Sequence, residues 1–328
     1  MRTRDQYPAT SHQWLNVASC LVAAVLLAGC ATPPAKPADP ALSRLASAGR
    51  AMFDRGSPDG AARLYVRALD KARAADDPRE IGMAAYNLGA CLIELEQYEE
   101  ARGFLKEAEL ELKRADLGTA GVILLDAKAL RLAGRYDEAV KRADAVLPAA
   151  AVGDKDSCRV QVHLLKAHIA CDRGEAGWAH QEMGKAQDAL EKMSDVMLEA
   201  EAAGVEGRLF LLDQAPEKAG NEFDRQAGLY RKAGKHRAMA LALGRAGQAY
   251  TEANDPFHAG DRFYRSARCL FAQGDDVGAL KMLDAGLAAA EKSQDEDSIA
   301  RAAALFKEIR KRTEDALSAA APAAEPAP

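Results

Sequence analysis

The stretch Ala219–Ala227 reads AGNEFDRQA, and forty residues later Ala259–Ala267 reads AGDRFYRSA. Ala, Gly, Phe, Arg and Ala recur in register in the two stretches, while the positions between them change. Fixed small and aromatic positions separated by variable polar ones are typical of a structural repeat, because packing positions are constrained and solvated positions are not. The two stretches therefore predict a repeated helical unit of about 40 residues.

The same period extends through most of the chain. Small residues recur at two positions twelve residues apart, and successive units are spaced by 40, 38, 40, 40 and 40 residues. The first set is Gly49, Gly89, Ala127, Ala167, Gly207 and Gly247, and the second set is Ala61, Ala101, Ala139, Ala179, Ala219 and Ala259. Antiparallel helices approach to about 8–10 Å where both carry small side chains. We therefore expect each unit to be a helix pair that crosses at these residues.

Composition and helix punctuation support an all-α chain. The 328 residues are rich in Ala, Leu, Glu, Lys and Arg, with 5% aromatics and a net charge of −5. Helix starts are indicated at Asp39-Pro40, Ser57-Pro58, Asp77-Pro78 and Asp255-Pro256, and helix ends at Gly56, Gly134, Gly174, Gly234 and Gly274. We predict about fourteen helices of 15–20 residues, arranged as an α-solenoid of about seven antiparallel pairs. The mild acidity argues against a nucleic-acid partner.

One unit resembles a known family. YNLGACLIELEQYEEARGFLKEA (Tyr86–Ala108) resembles a tetratricopeptide repeat, with Leu88-Gly89, Tyr98, Ala101 and Ala108 on its small and aromatic positions. GRYDEAV (Gly134–Val140) matches the turn and the start of a second helix. The family's Trp is missing, and the period is about 40 residues in place of the usual 34. The resemblance implies a tetratricopeptide-like helical domain over residues 41–317, with HEAT-like helix pairs as the alternative architecture.

The N-terminus is typical of an export signal. Arg2 and Arg4 precede the apolar run WLNVASCLVAAVLLAG (Trp14–Gly29), which is short for a membrane span. The run ends in Leu27-Ala28-Gly29-Cys30, which resembles the lipobox of bacterial lipoproteins. That resemblance implies a signal peptide over residues 1–29, cleavage before Cys30 and lipidation of Cys30. Ala31 stands where an Asp favours inner-membrane retention, which implies the periplasmic face of the outer membrane. A plain secretory signal with a chance cysteine is the alternative.

Three further features complete the domain plan. Residues 30–40 hold the lipidated cysteine and the Pro-rich tether ATPPAKPADP, and residues 318–328 form an Ala/Pro tail that we expect to be disordered. The later cysteines, Cys91, Cys158, Cys171 and Cys269, form no CxxC pair. We favour packed thiols, and a long-range disulfide remains open because the periplasm is oxidising.

No catalytic set is recognisable. His163, His168 and Cys171 share one predicted helix, but the two histidines are five residues apart, whereas helical metal sites favour a spacing of four. His163 falls on the expected core stripe. The chain has neither a Gly-rich phosphate loop nor a Gly-x-Ser-x-Gly elbow. We therefore expect no enzymatic activity, no cofactor and no metal.

The resemblance also implies a binding groove. In tetratricopeptide proteins the first helices line a concave surface, and the residue after the small crossing position faces it. Here those positions are Arg50, Ala90, Lys128, His168, Arg208 and Gln248, with Arg131 one turn after Lys128 and Asn87 where such repeats often contact peptide backbone. A cationic groove in an acidic protein indicates an acidic peptide or carboxylate terminus as partner. The alternative is that these Arg and Lys residues are only good exposed helix formers.

These observations lead to one preferred function and two rivals. We expect an outer-membrane lipoprotein that acts as a protein-binding scaffold or adaptor in an envelope assembly, secretion or cell-wall complex. The first rival is a structural lipoprotein that self-associates through its helical edges, a homo-oligomer with no groove function. The second is an enzyme of unknown type.

Overall fold

The structure is a computed structural model that describes residues 39–151 and 154–320, with the side chains of the last helix described as far as residue 315. Contacts divide the chain into Met1–Pro40 and Ala41–Pro328. The account below concerns the second unit. The predicted signal peptide, Cys30, almost all of the tether and most of the tail lie outside the described residues.

The described residues form fifteen α-helices and no strand. Fourteen of them form seven consecutive pairs, and the remaining helix is a single turn of four residues. The helices are α1 (Pro40–Asp54), α2 (Pro58–Ala74), α3 (Pro78–Glu94), α4 (Tyr98–Arg114), α5 (Ala120–Leu132), α6 (Tyr136–Asp144), the single turn α7 (Val146–Ala149), α8 (Lys155–Asp172), α9 (Ala176–Leu190), α10 (Val196–Leu212), α11 (Pro216–Lys232), α12 (His236–Glu252), α13 (Pro256–Ala272), α14 (Asp276–Ser293) and α15 (Glu296–Ala320). The predicted all-α solenoid is confirmed.

Each of the first six pairs crosses at the predicted small residues. All six alanines of the second set are 0% exposed. A Cβ added to Gly207 would lie 2.6 Å from the ring of Phe223, so only glycine leaves room for that ring. Glycine faces a large side chain sixteen residues later at Gly49–Tyr65, Gly89–Leu105, Gly207–Phe223 and Gly247–Phe263. Where the first helix carries alanine, the residue sixteen positions later is small or flexible: Ala127–Ala143 and Ala167–Met183.

The turns between helices use one recurring closure. Gly234 has a φ of +68°, and the next amide, Lys235 N–H, donates to the carbonyl of Tyr230 at 2.9 Å. This is the αL closure that satisfies the last carbonyls of a helix. The five glycines predicted at helix ends all have positive φ, as do six residues that the sequence did not indicate: Asp76, Glu96, Asp116, Gln214, Asn254 and Gln294.

The helix starts are partly as predicted. Asp77 accepts a hydrogen bond from Glu80 N–H at 3.2 Å, and Asp255 accepts one from His258 N–H at 3.1 Å. The helix start at Ser57-Pro58 is as predicted, with Ser57 at the N-cap position, but the Ser57 side chain makes no cap hydrogen bond. Pro58 stands at the first helical position of α2, where its fixed φ suits the helix.

The first helix pair meets the sixth and seventh pairs. Lys235 Nζ, just before α12, lies 3.9 Å from a carboxylate oxygen of Asp54 at the end of α1. The Arg237 guanidinium packs against Gly56, whose φ of +81° and missing Cβ both suit glycine, and it also pairs with Asp275 at 2.8 Å. We call the contact of Asp54 and Gly56 with Lys235, Arg237 and Asp275 the seam. The seam brings the end of α1 beside the start of α12.

Two further findings concern the described part of the chain. Cys91, Cys158 and Cys171 are buried and Cys269 is half-buried, all as free thiols. Burial raises the pKa of the Cys91 thiol to about 12, which keeps it protonated. Within residues 39–151 and 154–320, no helix has both the length and the apolar character needed to cross a membrane.

Candidate functional site

The first helices of the middle pairs present one stripe to the interior. The small crossing residue of each first helix faces its partner helix, so the residue after it points to the concave side. Because the solenoid curls tightly, side chains from α3, α5, α8, α10, α11 and α12 line one cavity of about 420 Å³. We call this the central cavity; its polar lining residues are Tyr86, Lys128, Arg131, Gln161, His168, Glu201, Gln226, Tyr230 and Arg245.

A shared carboxylate holds two arginines in place beside the central cavity. Asp172 accepts from Arg131 at 2.9 Å with one oxygen and from Arg208 at 2.6 Å with the other. Arg208 also donates to Nδ1 of His168 at 2.9 Å, so Nδ1 acts as acceptor and carries no proton. Burial, and then the positive charges of Arg131, Arg208, Arg245 and Lys128, hold the pKa of His168 well below its usual value. His168 is therefore a neutral residue among cations.

Arg245 is positioned from the opposite wall. Its guanidinium donates to the Gln226 side-chain oxygen at 3.0 Å and lies over the Phe223 ring at 5.5 Å. Gln226 is 2% exposed and reaches this place across Gly204, where any Cβ would collide with its amide. Gly204, Gln226 and Arg245, on three successive helices, thus form one support for a buried cation.

The cavity carries more positive than negative charge. Among its lining residues, Lys128, Arg131 and Arg245 carry positive charges and Glu201 carries a negative one, which leaves a formal excess of two positive charges. Burial raises the pKa of Glu201, which weakens its contribution as an anion.

Two of these arginines have unused donors. Arg131 Nε and Arg245 Nε are buried and have no hydrogen-bond partner among the described residues. Burial lowers the pKa of Arg245; Tyr230 raises it in part, and the charge of Arg208 lowers it further. At Arg131 burial also lowers the pKa, by more than the neighbouring Asp172 raises it. Buried cations with unmet donors are costly until an anion supplies acceptors. The geometry therefore suits an anionic ligand.

The structure divides the predicted groove residues among three cavities. Lys128, Arg131 and His168 line the central cavity, and Arg208 lies behind them, bound to His168. Arg50 and Asn87 line a second cavity of about 510 Å³ between α1 and α3, where Asn87 spends one amide donor on the carbonyl of Met83. Gln248 lines a third cavity of about 490 Å³ between α12 and α14.

Sequence reasoning missed several residues of the central cavity. Arg245, Asp172 and Glu201 lie three, four and seven residues from Gln248, His168 and Arg208 on the same helices. Helical spacing alone would have found them, because residues three, four or seven apart share a face. Gln226 and Tyr230 come from a second helix, and no sequence pattern indicated that they would reach the interior.

The histidine pair gives no metal site. His163 was predicted to lie on the core stripe, but it is half-buried, and its Nδ1 lies 2.7 Å from a carboxylate oxygen of Glu182 in α9. His168 belongs to the arginine wall described above. In residues 39–151 and 154–320, no group of three or more His, Cys, Asp or Glu side chains is placed to hold a metal ion.

Comparisons with known proteins bear on the fold. No protein-family profile matches the chain, and no curated protein does. Solved structures do match. The Rap conjugation gene regulator of plasmid pLS20, in complex with the Phr* peptide, is 15% identical with a TM-score of 0.58, over 94% of this chain and 81% of that one. A Rap protein complexed with competence and sporulation factor is 13% identical with a TM-score of 0.58, over 84% and 76% of the two chains.

A third match carries the repeat name. The signal-transduction ATPase of Pyrococcus horikoshii, with its tetratricopeptide repeat sensor, is 14% identical with a TM-score of 0.50, over 77% of this chain and 41% of that one. At these identities the likeness concerns the fold. The chain is a tetratricopeptide-like helical solenoid.

Proposed function

We propose that this protein is a lipid-anchored scaffold of the outer membrane that binds an acidic peptide segment of a partner protein in its central cavity. The observation that carries the proposal is the pair of half-buried arginines, Arg131 and Arg245, which line one cavity and whose buried Nε donors lack partners. A carboxylate side chain or a C-terminal carboxylate in this cavity would be attracted to both guanidinium groups and would neutralise the excess charge. An extended peptide adds backbone groups for Gln161, Gln226 and Tyr230, which line the same cavity.

The similar structures support a peptide as the ligand class. One of them is a Rap regulator in complex with the Phr* peptide, and another is a Rap protein with competence and sporulation factor. Helical solenoids use the concave side of their curvature as an extended binding surface. In this chain that side holds the cationic central cavity.

The location in the proposal comes from the N-terminal sequence. The anchor is predicted by the lipobox-like stretch Leu27-Ala28-Gly29-Cys30, and its location at the periplasmic face of the outer membrane by Ala31. Residues 30–40 then form a short tether. A tethered scaffold meets a membrane-bound partner at high local concentration, so moderate affinity is sufficient. We propose that the partner belongs to an envelope assembly, secretion or cell-wall complex.

The cavity is tested by removing its charge. The full chain, purified in detergent, is titrated with a fluorescein-labelled pool of hexapeptides that contain two Glu residues. We expect saturable binding that Lys128→Gln with Arg245→Gln weakens at least tenfold. The control Arg63→Gln with Lys106→Gln makes the same charge change at two exposed residues and should not weaken binding.

The outcomes separate the hypotheses. Equal binding by both double variants would remove the central cavity from the proposal. Absence of any peptide binding, together with concentration-dependent oligomers in light scattering, would favour the self-associating alternative. In-cell crosslinking followed by mass spectrometry identifies the partner.

The anchor is tested separately. Cys30→Ala should block signal removal and incorporation of labelled fatty acid, whereas Cys20→Ala, a cysteine within the same apolar run, should leave both intact. Normal maturation and membrane fractionation of Cys30→Ala would contradict the lipoprotein proposal.

A further inference from the structure

The cavity between α12 and α14 differs in chemistry from the central cavity. Phe263 of α13 lies at its floor, and Ala285, Ala288 and Ala289 of α14 form one wall. Its polar lining residues are Gln248, Thr251, Glu252 and Lys292, so one carboxylate and one ammonium group offset each other there. Three alanines on one face leave the volume of about 490 Å³ unfilled, where larger side chains would occupy it. We call this the apolar cavity.

The two cavities share one helix. Arg245 lines the central cavity and Gln248 lines the apolar cavity, and both belong to α12. Three residues along a helix correspond to a rise of about 4.5 Å. Residues three apart lie on the same face of a helix, with Cβ atoms about 5–6 Å apart, so both cavities open beside one face of α12. A single extended peptide can therefore reach both.

We infer that the ligand of this site is a peptide in which a large apolar residue lies two to four positions from the acidic one. The inference rests on the proposed function and adds a second recognition element to it. An extended chain rises about 3.3 Å per residue, so two to four residues span about 7–13 Å. This span exceeds the separation of about 5–6 Å between the Cβ atoms of Arg245 and Gln248, and it leaves room for side chains that extend into the two cavities. The acidic side chain meets Arg131 and Arg245, and the apolar side chain enters beside Phe263 and Ala288.

Charge and shape together commit the site to this ligand. A purely acidic peptide satisfies the arginines and leaves the apolar cavity to water. A purely apolar segment fills the cavity between α12 and α14 but leaves the cationic wall uncompensated, which is unfavourable for buried charges. Only a peptide that carries both an acidic and a large apolar side chain can occupy both cavities.

The experiment compares labelled peptides that contain one Glu with a Leu placed one to six positions away, and a matched series with Ala in place of Leu. We expect Leu at two to four positions to bind roughly tenfold more tightly than Ala, since burying a leucine side chain contributes a factor of that order or more. The protein is again the full chain in detergent.

A filled cavity provides the matched variant. Ala288 is exposed, so Ala288→Leu should fold and occupy the apolar cavity from within. We expect this variant to lose the preference for Leu while it keeps its affinity for the Ala series. Ala304→Leu, at an exposed position of α15, should keep the preference. Melting curves of both variants check that the fold is intact.

The results distinguish a failure of this inference from a failure of the proposed function. Equal affinity of the Leu and Ala series at every spacing, with both bound through Arg245, would overturn the apolar element alone. Failure of both series to bind would overturn the proposed function. If deletion of residues 321–328 were required before any peptide bound, the chain's own tail would be the occupant, and the inference about a partner peptide would be wrong.

Discussion

Arg208 donates a hydrogen bond to Nδ1 of His168, the residue at the corresponding position one repeat earlier. The two side chains are forty residues apart in sequence. Asp172, which lies four residues after His168 on the same helix, also accepts a hydrogen bond from Arg208. The bond requires His168 to be unprotonated at Nδ1. The protonation state of His168 is thus linked to the integrity of the cationic wall.

The stability of the folded chain should decrease as the pH is lowered, because of His168. Its pKa in the folded chain is lowered well below the usual value of 6.5, first by burial and then by Arg131, Arg208, Arg245 and Lys128. As pH falls below 6.5 the unfolded chain gains a proton there that the folded chain does not, so His168 costs stability on the order of 1 kcal/mol at pH 5.5. The free energy of unfolding by urea, measured at pH 7.5 and pH 5.5, reports this loss.

His168→Asn provides the comparison, since its side-chain oxygen can accept from Arg208 in place of Nδ1. The variant should lose less stability than the wild type between pH 7.5 and 5.5, by an amount on the order of 1 kcal/mol. Parallel pH profiles for the two proteins would mean that His168 protonates within the fold.

Arg245→Gln should separate binding from stability. The pKa of Arg245 is lowered, mainly by burial and further by Arg208, so its charge is unfavourable in the folded chain. Glutamine removes the charge and keeps an N–H donor for Gln226. We expect an unchanged or higher melting temperature and at least tenfold weaker binding of acidic peptides. A lower melting temperature would show that Arg245 serves the fold, and Arg63→Gln controls for loss of an exposed arginine.

Gly207→Ala should be destabilising although alanine favours helices. The new Cβ would lie 2.6 Å from Phe223, which is 2% exposed and cannot retreat, so we expect a loss of about 1–3 kcal/mol. Gly228→Ala, in the interior of α11 with nothing within 4 Å of the added Cβ, should instead gain up to about 1 kcal/mol. Phe223→Leu should recover part of the Gly207→Ala loss, and strict additivity of the two changes would argue against the contact.

The seam is tested by a pair of glycines in similar turns. Gly56 and Gly134 have φ values of +81° and +74°, so alanine at either position costs roughly 1 kcal/mol of backbone strain. Only at Gly56 does the added Cβ collide with Arg237. We therefore expect Gly56→Ala to increase the radius of gyration in small-angle X-ray scattering and Gly134→Ala to leave it unchanged. The same radius for both variants would show that the seam does not depend on this contact.

The repeat could be predicted from the sequence because packing strongly restricts which residues can occupy its crossing positions. Gly207 and Phe223 must be complementary in volume, and their counterparts recur at Gly247 and Phe263, so period and pairing were visible. The αL turn residues Asp76 and Asn254 were missed because a short polar side chain adopts this conformation without a distinctive pattern.

The central cavity was predictable in part. Lys128 and His168 follow the crossing residues, and this spacing places them on the concave face. Arg245 joins them from α12 because the solenoid curls, and curvature is a sum of small rotations between repeats that no single motif specifies. The approach of Gln226 across Gly204 depends on that same packing between pairs.

The seam has a consequence for how this chain unfolds. In an open solenoid each repeat contacts only its neighbours, so the terminal repeats unfold first and the loss spreads inward one unit at a time. Here Arg237 and Lys235 also connect the first pair to the sixth. Separate unfolding of the N-terminal pair, which follows the tether, would therefore break contacts with a distant repeat, and a pull on that end is transmitted to the sixth pair as well as to the second.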